Sequence, residues 1–96
     1  MADDPLTVTV TDNPARLRYE AHVGDDLAAF ATYQLTPAGI TFLHTETDHR
    51  YEGHGVASRL ARSALDDVRA RGLRVTARCP FFASYMDRHP AYRDLL

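Results

Sequence analysis

Apolar positions along the chain change period once, near the middle. As far as Thr47 they recur at every second residue, and from Val56 at about every fourth. A period of two marks half-buried strands, and a period near 3.6 marks an amphipathic helix. "LTVTVT" (Leu6–Thr11) is β-branched and alternating, which predicts a strand. Met1–Pro5 ahead of it reads as a frayed start. "DNPA" (Asp12–Ala15) has turn chemistry. In "RLRYEAHV" (Arg16–Val23), Leu17, Tyr19, Ala21 and Val23 face one way, and Arg16, Arg18, Glu20 and His22 the other. "GDD" (Gly24–Asp26) turns the chain into "LAAFATYQL", and "TPAG" (Thr36–Gly39) turns it into "ITFLHTET". Short turns between alternating segments predict an antiparallel meander.

Val56, Leu60, Ala64 and Val68 then recur every four residues, with Ala57, Ala61 and Leu65 beside them. Arg59, Arg62, Asp66, Arg69 and Arg71 take the outer side. The pattern predicts an amphipathic helix from Gly55 to Arg71, stopped by Gly72. "LRVTARC" (Leu73–Cys79) alternates again and predicts a strand parallel to the one before the helix, as a right-handed crossover requires. "PFFASYMDR" (Pro80–Arg88) predicts a short helix with Pro80 in its first turn, and "HPAYRDLL" a further turn. The expected class is α+β, in the order β-β-β-β-α-β-α. A length of 96 residues allows one domain. No internal repeat, low-complexity segment or linker interrupts it.

Composition narrows the function. A net charge of -2 argues against a dedicated nucleic-acid binder, which shows a basic face. No apolar run reaches membrane-spanning length. "MADDPLTVTV" is acidic and lacks an apolar block, so no signal peptide is expected and the expected location is the cytoplasm. The single cysteine, Cys79, forms no intramolecular disulfide and no thiolate metal cluster. His22, His49 and His54 show no metal-ligand spacing with carboxylates, so no metal site is expected. All 11 basic side chains are arginine. Without lysine there is no Schiff base, no lysine general base and no P-loop lysine. The simplest source of that bias is a GC-rich bacterial genome of the actinobacterial kind.

The segment between the meander and the long helix carries the chemistry. "GITFLHTET" is followed by "DHRYEGHG" and then "VASRL". The first amides of a helix lack intrahelical partners, and the dipole makes that end positive. A phosphate placed there satisfies both features. Glycine lets an anion approach the backbone, and arginine supplies a planar cation. Arg50, Gly53 and Gly55 have the residue types of such a site. They equally fit a turn that glycine merely shapes. The loop lacks the third glycine of a dinucleotide fingerprint.

"RYEGHG" resembles the R/Q-x-x-G-x-G/A loop of the GNAT superfamily of acetyl-CoA-dependent acyltransferases. Together with "FLHTET", "GHGVASRL" and "CPFFASYMDRHPAY", it makes nearly the whole chain resemble a small single-domain N-acetyltransferase-like branch of that superfamily. The resemblance implies acetyl-CoA as the acyl donor. It implies that Arg50, Glu52, Gly53, His54, Gly55, Val56 and Ala57 line a pyrophosphate site. Thr45, Glu46 and Thr47 would border the pantetheine arm where two parallel strands splay.

Acetyl transfer to an amine needs a deprotonated amine, a stabilised oxyanion and a stabilised leaving thiolate. By resemblance, Tyr85 in "YMDRHP" takes the place of a general acid near the sulfur. It also fits a half-buried aromatic packed on the sheet. Cys79 ends a strand and precedes a helix, where amides lower a thiol pKa. In the small branch the matching cysteine resembles an acyl acceptor, implying a ping-pong route. The alternative is a packed core thiol, sharing a face with Leu73, Val75 and Ala77. His44, among apolar neighbours in "TFLHTE", is a candidate base for the amine or an orienting partner for Cys79; the alternative is a core or strand histidine bonded to backbone.

Three functions stay open at this level. The first is an acetyl-CoA-binding N-acetyltransferase acting on an unidentified amine. The second is a coenzyme A-binding module with little turnover. The third is an interaction domain without ligand. Little chain precedes the meander to build an acceptor pocket, so that site is either open or completed by a partner protein.

Overall fold

The computed structural model describes residues 6–96. The reading of Met1–Pro5 falls outside them. The fold is α+β, with five strands: β1 (Thr9–Asn13), β2 (Arg18–Val23), β3 (Asp26–Thr36), β4 (Gly39–Thr47) and β5 (Arg74–Ala77). They lie in the sheet in chain order. β1 to β4 form an antiparallel meander, and β5 is parallel to β4. Helix α1 (Val56–Ala70) joins β4 to β5, and α2 (Pro80–Arg88) follows. Three-residue 3-10 turns stand at Pro14–Arg16 and His49–Tyr51, and a longer 3-10 stretch at Pro90–Leu95 closes the chain.

Both helices pack on one face of the sheet. Phe82 of α2 stacks on Phe42 of β4 with ring centroids 4.1 Å apart. Tyr19 packs against the same Phe42, and its hydroxyl donates to Asp67 of α1 at 2.5 Å. The helix stripe read from the sequence is the buried one: Val56, Leu60, Ala61, Ala64, Leu65 and Val68 are all buried. Burial of such side chains contributes roughly 1.5–3 kcal/mol each for the larger ones.

The first turn differs from the sequence expectation. Asp12 and Asn13 belong to β1, paired with Tyr19 and Arg18, and the strand starts at Thr9 rather than Leu6. The turn is made by Pro14–Arg16, and Leu17 closes it in the left-handed region at φ 53°. Leu17 therefore leaves the inner face and is 49% exposed. Asp12 is held in the strand by its partners: Tyr33 donates to it at 2.6 Å, and Arg71 approaches at 3.4 Å. Burial and that carboxylate push the Tyr33 hydroxyl up to about 12. Arg71 also donates to Tyr19, so the end of α1 is tied to β1 and β2.

Glu20 is buried on the face away from the helices, bonded by Arg18 at 2.7 Å and Asn13 at 3.0 Å. Burial pushes its carboxyl up, but the Arg18 and Asn13 hydrogen bonds and the Arg18 and His22 charges outweigh it. The net shift is downward. A carboxylate lowered by folding stabilises above its unfolded pKa, and that contribution is lost as pH falls through the folded value. Thermal unfolding from pH 7 to pH 3 is expected to show the melting temperature falling in the acid range. Glu20→Gln is expected to melt lower at pH 7 and to show a shallower acid dependence. An identical acid slope in the variant would remove Glu20 from this role.

β4 carries the irregularity that shapes the site. Thr32 pairs with His44 but Tyr33 pairs with Phe42, so Leu43 is an extra residue. A bulge of one residue exchanges the two faces of a strand. Before it, Ile40 and Phe42 point to the helices and are buried; after it, His44 and Glu46 are exposed on the other face. Thr45 and Thr47 take the helix side.

Candidate functional site

β4 and β5 pair only from Gly39–Arg74 to Phe42–Ala77. The amides of Arg78 and Cys79 both donate to the Phe42 carbonyl at 3.0 Å, and Pro80 then opens α2. β4 runs on to Thr47. The two strands thus part just beyond Phe42 and leave one edge of β4 open. Cys79 stands at this fork, buried at the N-cap of α2, with its Sγ 3.1 Å from Thr45 Oγ1. The predicted strand to Cys79 is shorter than expected because the shared Phe42 carbonyl and Pro80 end it.

At the end of β4, the Asp48 side chain caps the turn His49–Tyr51 by accepting from the Arg50 amide at 2.9 Å. The Tyr51 hydroxyl donates to Asp26 at 2.5 Å, which fixes the turn to β3. Gly53 and Gly55 then take φ of 81° and 73°, and Gly55 caps α1 in the left-handed region. A Cβ added at either glycine meets no atom within 4 Å. The positive φ, not crowding, calls for glycine here, and the space beside it is open. Both glycines border a concavity of about 250 Å³, which is also lined by Thr47, Tyr51, Glu52, Val56, Ala57 and Ser58. The amides of Val56, Ala57 and Ser58 have no intrahelical acceptor, and the Arg59 amide is the first to bond back, to Gly55. An anion in the concavity meets unpaired donors at the positive end of a 15-residue helix.

The structure gathers Glu52, Gly53, Gly55, Val56 and Ala57, and Thr47 from the end of β4, around this concavity. It adds Tyr51 and Ser58. Ser58 was legible as the third helical residue, whose amide is always free; Tyr51 was not, because its place depends on Asp26. Arg50 and His54 are not on the lining. The Arg50 guanidinium holds Asp48 at 3.1–3.2 Å and lies 5.4 Å over the Tyr51 ring. The Arg50 hydrogen bonds keep the Asp48 carboxyl below its usual range.

The other candidates separate. Thr45 joins Cys79, whereas His44 and Glu46 pair with one another on the opposite face, Nε2 to Oε2 at 2.8 Å. Cys79 thus has Thr45, not His44, as its hydrogen-bonding neighbour. Tyr85 is 5% exposed, stacked on His89 with centroids 3.9 Å apart. Burial pushes its hydroxyl pKa up, and the charges acting on it are Arg62 and Asp66 of α1 and Arg88. Among the described residues no group of three or more His, Cys, Asp and Glu is placed to hold a metal. Among them too, no helix is long and apolar enough to cross a membrane.

The sheet is thus a meander running into a parallel pair that splays, with an open concavity at the start of the connecting helix. The family model described as GCN5-related N-acetyl-transferase matches residues 18–95, and the chain belongs to that family. No curated protein matches the chain significantly.

Proposed function

We propose that the chain is a single-domain, acetyl-CoA-binding N-acetyltransferase that passes an acetyl group to an amine. The observation that carries this reading is the open cradle at Gly53–Ser58, set beside the splayed edge of β4 in a chain of this family. Members of the family generally use acetyl-CoA. The cradle fits a pyrophosphate: its glycines leave space where a side chain would stand, and its amides are unpaired. Thr45, Glu46 and Thr47 would border the pantetheine along β4, and Arg50 and His54 would flank the cradle from outside.

For the transfer itself, Cys79 is at the fork where a thioester following β4 would end. Its Sγ would take the acetyl group while the thiol proton ends on the departing sulfur. Thr45 Oγ1, 3.1 Å away, is placed to orient that thiol. The competing route is direct attack by the amine, with Tyr85 as acid; its raised pKa keeps the proton on the hydroxyl. Intact-mass spectrometry after incubation with acetyl-CoA separates the two routes. The expected result is one acetyl group on the wild-type chain and none on Cys79→Ala, with turnover down roughly a thousandfold or more. An unmodified wild-type chain, with Cys79→Ala fully active and Tyr85→Phe inactive, transfers the role to Tyr85.

A second reading, a coenzyme A-binding module with little turnover, is favoured by one observation: both helices cover the same face of the sheet, so among the described residues no helix walls an acceptor pocket on the other. Binding of coenzyme A without acetyl transfer to any amine would select it.

A further inference from the structure

The cradle's amides attract an anion, yet the acidic side chains around it repel one. Glu52 and Tyr51 line the concavity. The Tyr51 hydroxyl donates to Asp26, and Asp48 caps the turn that carries Tyr51. His49 Nδ1 lies 3.3 Å from Glu52 Oε1. Arg50 is the one arginine of the loop Asp48–Gly55, and its guanidinium is turned to the carboxylates. Nε bonds Asp48 Oδ1 at 3.2 Å and Nη2 bonds Oδ2 at 3.1 Å, a bidentate fork. Nη1 is 3.7 Å from Asp26 Oδ2, the oxygen that also accepts from Tyr51. All three guanidinium nitrogens therefore face a carboxylate.

An exposed ion pair contributes little alone, but a bidentate pair within a network keeps its geometry. Here the acidic side is anchored and the basic side is mobile. The Asp48 amide donates to the Ala28 carbonyl of β3 at 2.7 Å, and Asp48 Oδ1 accepts from the Arg50 amide at 2.9 Å. The Arg50 side chain is 64% exposed. It can rotate while its own amide stays on Asp48, so the turn survives its release. The guanidinium lies 5.4 Å over the Tyr51 ring, one aromatic ring away from the concavity that Tyr51 lines.

We propose that Asp48, helped by Asp26, is an autoinhibitory clasp that holds Arg50 off the cradle and sets how tightly the chain keeps coenzyme A, which rests on the acetyl-donor reading above. In the free chain the guanidinium stays with the carboxylates. A pyrophosphate in the cradle offers it a second set of acceptor oxygens, and the observed affinity is reduced by whatever the clasp contributes to the free state. Once the cradle empties, Asp48 recaptures Arg50. The effect falls mainly on release, where affinity differences between related complexes mostly lie.

The test is a double-mutant cycle on coenzyme A affinity, measured by calorimetric titration at about 0.15 M salt, where charges more than about 8 Å apart are largely screened. Asp48→Asn keeps a capping oxygen, since asparagine caps about as well as aspartate, but loses the charge that holds Arg50. It is expected to bind coenzyme A about threefold or more tighter than wild type. In the Arg50→Gln background the same change is expected to alter affinity by less than about twofold. NMR of the wild-type chain gives an independent readout, the Arg50 Nε–H resonance, which is expected to move when coenzyme A is added. An equal gain in both backgrounds, no gain in Asp48→Asn, or an Arg50 resonance that coenzyme A leaves in place would overturn the clasp while the donor reading stands. If the wild-type chain binds no coenzyme A, both fall.

Discussion

Gly39→Ala is expected to cost several kcal/mol and to leave little folded protein at 37 °C. A Cβ at this position would stand 2.2 Å from the Arg74 carbonyl oxygen and 2.9 Å from its nitrogen, both backbone atoms in the paired strand. Neither can move without breaking the β4–β5 pairing that begins at Gly39–Arg74. The residue also has φ 145°, which disfavours any side chain. Overpacking of this kind costs about 1–3 kcal/mol even where side chains absorb it, and here backbone must move. For a chain of this size each kcal/mol lowers the melting temperature by roughly 4–8 °C. Gly24→Ala is the control: φ is 60° and nothing lies within 4 Å. It is expected to cost only about 1–2 kcal/mol, the left-handed penalty. Equal melting temperatures for the two variants would contradict the close approach.

Gly55→Asn is expected to keep the fold and lose coenzyme A. Asparagine tolerates the left-handed conformation that Gly55 adopts at φ 73°. Its side chain would extend into space that is empty at this position and that belongs to the cradle. Each charge-assisted hydrogen bond from amide to phosphate contributes about 1.5–3 kcal/mol. Loss of two weakens binding by roughly a hundredfold or more. Calorimetric titration of wild type and variant measures this directly. Undiminished affinity in the variant would place the phosphates elsewhere.

Most of the fold was legible in the chain because its periods are unmixed. The α1 stripe and the alternation in β2 and β3 arise from burial on one side only, and the turns carry Gly, Asp and Pro where the backbone needs them. The glycine-shaped start of α1 was legible for the same reason, since Gly53 and Gly55 directly precede the stripe and the free amides of a first turn follow from helix geometry alone. What was not legible depends on contacts distant in sequence. Asp12 reads as a turn residue until Tyr33 and Arg71 are beside it. His44 reads as a neighbour of the core, because alternation carried through Leu43 would place it on the Phe42 side. The extra residue at Leu43 reverses that and sends His44 to Glu46 and Thr45 to Cys79. Arg50 reads as a phosphate ligand by residue type, yet Asp48 and Asp26 hold its guanidinium. Acidic partners within the same loop were visible in "DHRYEG"; which of them arginine would take was not.

The most direct measurement is the melting temperature of the chain against coenzyme A concentration. A ligand bound only by the folded state adds RT ln(1 + [L]/Kd), about 2.7 kcal/mol at a hundred times Kd. For a chain of this size that amounts to a rise of roughly 10–20 °C, reduced to little or none in Gly55→Asn. A melting temperature that stays flat up to millimolar coenzyme A would mean that the cradle at Gly53–Ser58 holds no pyrophosphate.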